Sequence, residues 1–119
     1  MKLAGPDHPI TVTPLKDHVV VKFDGTVIAD THGALELREA SYPPVLYIPR
    51  SDTKMVHYAR IDHSTHCPYK GDASYFDLST SEKRVPNAVW SYENPYPAMA
   101  QIKDYVAYYP QNVTIERSP

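Results

Sequence analysis

Cys67-Pro68-Tyr69-Lys70-Gly71 is the stretch of the chain in which residue types and spacing most invite chemistry. An ammonium three residues from a thiol lowers the thiol pKa and favours the nucleophilic thiolate. Gly71 permits a backbone turn closed to other residues. Cys67 is therefore either a reactive or ligand-contacting thiol, or a small buried hydrophobe inside a shaped turn, which is the commoner fate of a free cysteine. Lys70 suits an anionic ligand or a carboxylate such as Glu39 or Glu93. A second candidate is Trp90-Ser91-Tyr92-Glu93. On a strand, Trp90 and Tyr92 share one face and Ser91 and Glu93 the other, so the two aromatics either wall a pocket or fill the core. Glu39 and Glu93 would serve as an acid and base pair only if the fold joined them. His57, His63 and His66 lie near Asp52 and Asp62, but their spacing fits no metal signature, so neither a metal nor another cofactor is expected. Gly-x-Ser-x-Gly, a phosphate loop and Gly-x-Gly-x-x-Gly are all missing, which argues against the enzymes built on those motifs.

Short strands must position these residues. Val19, Val21 and Phe23 alternate with Val20 and Lys22 ahead of Asp24-Gly25 and Thr26-Val27-Ile28-Ala29, a strong hairpin signal. Leu35 and Leu37 alternate at period two with Glu36 and Arg38, and Val45 to Ile48 follows Pro43-Pro44 as another strand. Asp52 is placed to cap a short helical turn running through Met55 and Tyr58. Ser64 to Cys67 and Ala73 to Leu78 flank the Pro-Tyr-Lys-Gly turn. Ala88 to Tyr92, Tyr105 to Tyr109 and Val113 to Glu116 read as further strands, with a short helical patch at Ala98 to Ile102. Residues 1–17 hold Pro6, Pro9 and Pro14, show no sustained period, and read as an extended N-terminal arm that packs on the domain or trails from it. Residues 18–119 read as one β domain. The fold class is thus mainly β: roughly eight short antiparallel strands with one or two helical turns, in a sandwich, barrel or tent-like arrangement.

Composition sets the outer bounds. A chain of 119 residues, 42% hydrophobic and 22% charged, suits a single globular domain. Its net charge of −2 comes with singly scattered Lys and Arg, which argues against a nucleic-acid surface. No stretch is long and apolar enough for a membrane span, and a lone cysteine fits a reducing compartment, so a cytoplasmic location is expected. Ten tyrosines and twelve prolines against four glycines point to half-buried strands joined by stiff turns.

Five ordered blocks carry a resemblance: Asp24-Gly25 with Val27-Ile28-Ala29-Asp30, Leu37-Arg38-Glu39, Pro43 through Pro49, Cys67 through Tyr75, and Trp90 through Pro95. Between about Val19 and Tyr109 the chain resembles the bacterial domain-of-unknown-function family numbered 427. The resemblance implies a compact tent-like β domain, similar in outline to the thalidomide-binding domain of cereblon and to B-type methionine sulfoxide reductases, and implies no settled activity. Many tent-like relatives hold a four-cysteine zinc, which Cys67 alone cannot build. The family also carries a nucleotidyltransferase-like label, yet the Gly-Ser and Asp-x-Asp pattern of such enzymes is missing. Thr31-His32-Gly33 stands where an arginine is expected in many members.

The reading that follows is a small-molecule-binding β domain, with catalysis left open, whose pocket is built from Glu39, Tyr47, Arg50, Cys67, Lys70, Trp90 and Tyr92. A non-catalytic domain whose tyrosine-rich surface binds a protein partner is the alternative. An enzyme acting on a nucleotide or other anionic substrate is a third, and it requires Lys70 and Arg50 to converge.

Overall fold

The computed structural model describes residues 1–119 and contains ten strands: β1 (Ile10–Pro14), β2 (His18–Phe23), β3 (Thr26–Thr31), β4 (Leu35–Glu39), β5 (Val45–Pro49), β6 (Tyr58–Cys67), β7 (Gly71–Ser79), β8 (Arg84–Ser91), β9 (Tyr105–Tyr108) and β10 (Thr114–Ser118). Short 3-10 segments at Arg50–Asp52, Met55–His57 and Pro97–Ile102 are the only helical pieces. The strands form a seven-stranded sheet in the order β1-β4-β5-β9-β8-β7-β6 and a three-stranded sheet in the order β10-β2-β3. Every pairing is antiparallel.

Local sequence explains most of these elements. Along β2 the residues alternate between half-buried and buried, and Val19, Val21 and Phe23 are fully enclosed. The turn into β3 places Asp24 at φ 52° and Gly25 at φ 78°, the paired positive angles that a tight hairpin demands.

One expectation gains definition and two need correction. The proline-rich arm contains a strand: β1 pairs with β4 from Ile10↔Glu39 to Pro14↔Leu35, and an edge position tolerates the proline at its end. The short helical turn expected through Met55 is present as the 3-10 segment Met55–His57, but it stops before Tyr58, where β6 begins. The Tyr58 hydroxyl donates to the Ile28 carbonyl at 3.0 Å and lies 2.7 Å from the Tyr108 hydroxyl, which ties the strand into the core. Asp52 caps no helix; it accepts a 2.6 Å hydrogen bond from Thr31 Oγ1 and pins the first 3-10 turn to β3.

Alternation along the central strands divides the core into two layers, one on each face of the large sheet. Ile48, Phe76, Val89, Val106 and Tyr108 pack with Val19, Val21, Phe23 and Ile28 of the small sheet. Their neighbours Tyr47, Tyr75, Tyr92 and Ala107 pack on the opposite face with Leu35 and Leu37. Met99 and Ile102 of the last 3-10 segment join this second layer. The small sheet thus covers one face broadly, while the other receives only short pieces of chain. The candidate site lies on that less covered face.

Candidate functional site

The Pro68-Tyr69-Lys70 turn joins β6 to β7, and Gly71 opens β7 at φ +110°, a backbone angle that other residues rarely adopt. Two outside hydrogen bonds hold the turn: Tyr96 N–H donates to the Lys70 carbonyl at 2.9 Å and Lys2 N–H to the Pro68 carbonyl at 2.8 Å. So anchored, Lys70 directs its side chain to Glu39 at the end of β4, with Nζ 2.5 Å from Oε1. The other carboxylate oxygen, Oε2, lies 2.7 Å from His8 Nε2. The His8 ring in turn stacks on Tyr69 at 4.1 Å and 5°. Side-chain exposure is only 8% for Lys70 and 16% for Glu39, so this is a largely desolvated ion pair that must be matched to persist. Burial pushes the Glu39 carboxyl up, but the hydrogen bonds and charges of Lys70 and His8 outweigh it and hold the group below the usual carboxylate range.

Beside the pair is a cavity of about 250 Å³ lined by Leu37, Glu39, Tyr42, Val45, Tyr47, Lys70, Tyr75, Trp90, Tyr92 and Tyr109. Strand register explains the gathering of rings. Tyr75 on β7 lies opposite Trp90 on β8, and Trp90 lies opposite Ala107 on β9. The β5–β9 register, Ile48↔Val106, extends by one step to set Tyr47 against Ala107 as well. The small side chain of Ala107 lets Tyr47 and Trp90 meet above it, edge to face at 6.4 Å. Trp90 Nε1–H donates to the Tyr47 hydroxyl at 3.2 Å. Burial raises the Tyr47 and Tyr92 hydroxyls far above the usual tyrosine range, and burial with a Tyr75 hydrogen bond pushes Tyr109 up to about 12. Tyr47, Tyr92 and Tyr109 therefore present neutral hydroxyls at any ordinary pH. A second cavity of about 330 Å³ adjoins the first and shares Tyr42, Val45 and Trp90 with it.

Glu39, Tyr47, Lys70, Trp90 and Tyr92 thus surround one space, although 31 residues separate Glu39 from Lys70. Two expected members stand apart. Cys67 is half-buried behind the turn, packed against the second core layer, and its sulfur accepts from Lys70 Nζ at 3.6 Å. The ammonium lies closer to Glu39, so the carboxylate rather than the thiol answers most of its charge. Arg50 is on the opposite face of the sheet. It donates to Ser91 Oγ at 2.8 Å and Glu93 Oε2 at 3.0 Å and lies over the Phe76 ring at 5.3 Å. Because Ser91 and Phe76 alternate with Trp90 and Tyr75, that face cannot contribute to the aromatic cavity. The convergence of Arg50 with Lys70, on which the anionic-substrate reading depended, does not occur.

Glu93 lies with Arg50 and Arg60 rather than with Glu39. Burial raises its carboxyl, but hydrogen bonds from Arg60, Ser74 and Arg50 prevail and bring it to about 2. The clustered histidines also diverge: His57 meets the Ser79 carbonyl, His63 the Tyr75 ring and His66 the Asp72 carboxylate. Sequence reasoning missed Tyr42, Tyr75 and Tyr109 in the wall and His8 beside Glu39. The alternation of Ala73 and Tyr75 in β7 was a usable signal for Tyr75, whereas nothing in the arm marked His8.

Comparison with known proteins adds one finding at the level of family. No curated protein matches the chain. The family model described as Domain of unknown function (DUF427), with the short name NTP_transf_9, matches residues 11–118, from β1 through the end of β10. This span includes both sheets and every cavity-lining residue, and the chain belongs to the DUF427 family.

Proposed function

We propose that this domain binds a small molecule in the aromatic cavity beside Lys70 and Glu39, with no reaction assigned to it. One observation carries the reading: five tyrosines and the single tryptophan line a space of about 250 Å³ next to a desolvated ion pair. Concave sites with mostly aromatic walls and a few polar groups are the usual form of ligand pockets. An ion pair held away from water is costly to desolvate and adds little net stability, and orienting a bound group is a role that would account for it. A tent-like bacterial domain working in the cytoplasm is part of the same proposal, supported by the half-buried lone Cys67 and the balanced charge. The protein-interaction alternative calls for rings displayed on a flat surface. Of the rings lining the cavity only Tyr42 is exposed, at 66%, which favours a ligand within over a partner outside.

Trp90 is the only tryptophan and borders both cavities, so a ligand in either is expected to change its fluorescence. A thermal-shift screen of metabolites, followed by fluorescence titration, is expected to yield compounds that both raise Tm and change Trp90 emission. Tyr92→Ala should abolish both responses. Stabilising compounds that leave Trp90 emission unchanged would place the binding elsewhere and reject the proposal.

A further inference from the structure

We infer that the ligand of this cavity is an uncharged molecule with a carbonyl-type acceptor head, held at the Lys70 end, and an apolar tail lying along Trp90 into the adjoining cavity. This rests on the small-molecule reading above and narrows it by counting hydrogen-bonding capacity. Lysine has three N–H donors. Lys70 directs one to Glu39 and one to Cys67, which leaves the third without a protein partner. The Tyr47 hydroxyl accepts from Trp90 and keeps its own proton for donation, and no side chain or backbone group pairs with the Tyr92 hydroxyl. On the acceptor side, each Glu39 oxygen already accepts one hydrogen bond, one from Lys70 and the other from His8, and keeps a second lone pair. The ammonium can only donate, whereas the hydroxyls can take either role, so the spare Lys70 donor is the group that a ligand must answer, and it is met best by an acceptor oxygen.

Charge decides between acceptor heads. Lys70 and Glu39 neutralise each other at 2.5 Å. A carboxylate or ammonium head would add an unmatched charge among aromatic walls, which a carbonyl oxygen does not. Burial also keeps Tyr47 and Tyr92 protonated as donors rather than anions. For the tail, the adjoining cavity of about 330 Å³ is bounded by Pro43, Pro44, Leu46, Pro110 and Ile115, and no residue of its lining is charged. Trp90 borders both cavities, so one molecule can lie across it from the polar end to the apolar one.

The test uses the full chain and matched probes: hexanamide, hexanoate and hexylamine for the head, and butanamide, hexanamide and octanamide for the tail, read by Trp90 fluorescence and Tm. Hexanamide should bind about tenfold tighter than either charged probe, and affinity should rise up to roughly fourfold per added methylene. Tyr47→Phe, which removes only a hydroxyl, should weaken hexanamide about threefold to tenfold while retaining the rise with tail length. Tighter binding of hexanoate or hexylamine would overturn the head assignment and leave the pocket reading standing. Amide affinity independent of chain length would overturn the tail assignment. Silence from all five probes at millimolar concentration would overturn this inference, whereas the metabolite screen decides the broader reading separately.

Discussion

Lys70 and Glu39 show what a buried charge requires of its partner. With the two side chains 8% and 16% exposed, removing either leaves the other poorly solvated. Lys70→Met is expected to destabilise the fold by about 3–5 kcal/mol in urea unfolding, and the Lys70→Met/Glu39→Gln double variant by less than the sum of the singles. Equal costs for the double variant and the sum would show that the pair is not coupled. On the other face of the sheet, Glu93 predicts a pH dependence. Its carboxyl lies at about 2 in the fold against an ordinary value of 4.5, so the folded state binds protons less readily than the unfolded one. Its contribution is fully present above about 4.5 and is lost as pH falls towards 2. Glu93→Gln should lower stability at pH 7 by about 1–3 kcal/mol and flatten the decline between pH 5 and pH 2, as measured by denaturant midpoints across that range.

At the scale of the element, the β6–β7 hairpin is the device that presents Lys70, and Gly71 makes its return possible. A Cβ built on Gly71 would stand 3.5 Å from the Asn94 carbonyl oxygen and the Tyr96 nitrogen, an ordinary contact, so the obstacle to substitution is the backbone angle of +110° rather than crowding. Gly71→Ala should therefore cost about 1–3 kcal/mol, and any relaxation of the turn should shift Trp90 emission by moving Lys70. A fully stable variant with unaltered emission would show that the angle is not required. The neighbouring β7–β8 pair has its own fixed point. Asp77, buried within β7, accepts from Arg84 and from the Asn87 backbone N–H where the register shifts and Asn87 turns to φ 54°. Asp77→Ala would remove both bonds from this part-buried turn and is expected to lower Tm by an amount corresponding to about 1–2 kcal/mol.

In the whole molecule, the two sheets share one apolar layer: Val19, Val21, Phe23 and Ile28 from the small sheet meet Ile48, Phe76, Val89 and Val106 from the large one. Neither sheet can open without exposing the other, so unfolding should be a single transition with coincident midpoints by Trp90 fluorescence and far-UV circular dichroism. Separate midpoints would mean that the small sheet melts alone. The same arrangement explains why the cavity lies on the other face, where Met99 and Ile102 complete only part of the covering and the tyrosines border the rest. A domain of this size can leave a pocket open on one side because the shared layer on the other holds it together.

What the sequence determined by itself was local: the alternation of β2, the Asp24-Gly25 turn, the Cys67–Gly71 junction, and the parity that sets Trp90 and Tyr92 against Ser91 and Glu93. Such features follow from the two-residue repeat of a strand and from which residues accept positive φ. The tertiary structure decided which face of each strand would be covered, and so which side of β8 became a cavity wall and which an ion-pair cluster. That decision depends on the order β1-β4-β5-β9-β8-β7-β6. By placing β9 between β5 and β8, this order brings Tyr47 to Trp90 over Ala107, and it leaves Arg50 on the far side. Glu39 and Lys70 are 31 residues apart, and no periodicity within either segment encodes their meeting. Parity is a property of one strand, whereas strand order is set by pairings between distant segments, and the pocket belongs to the second.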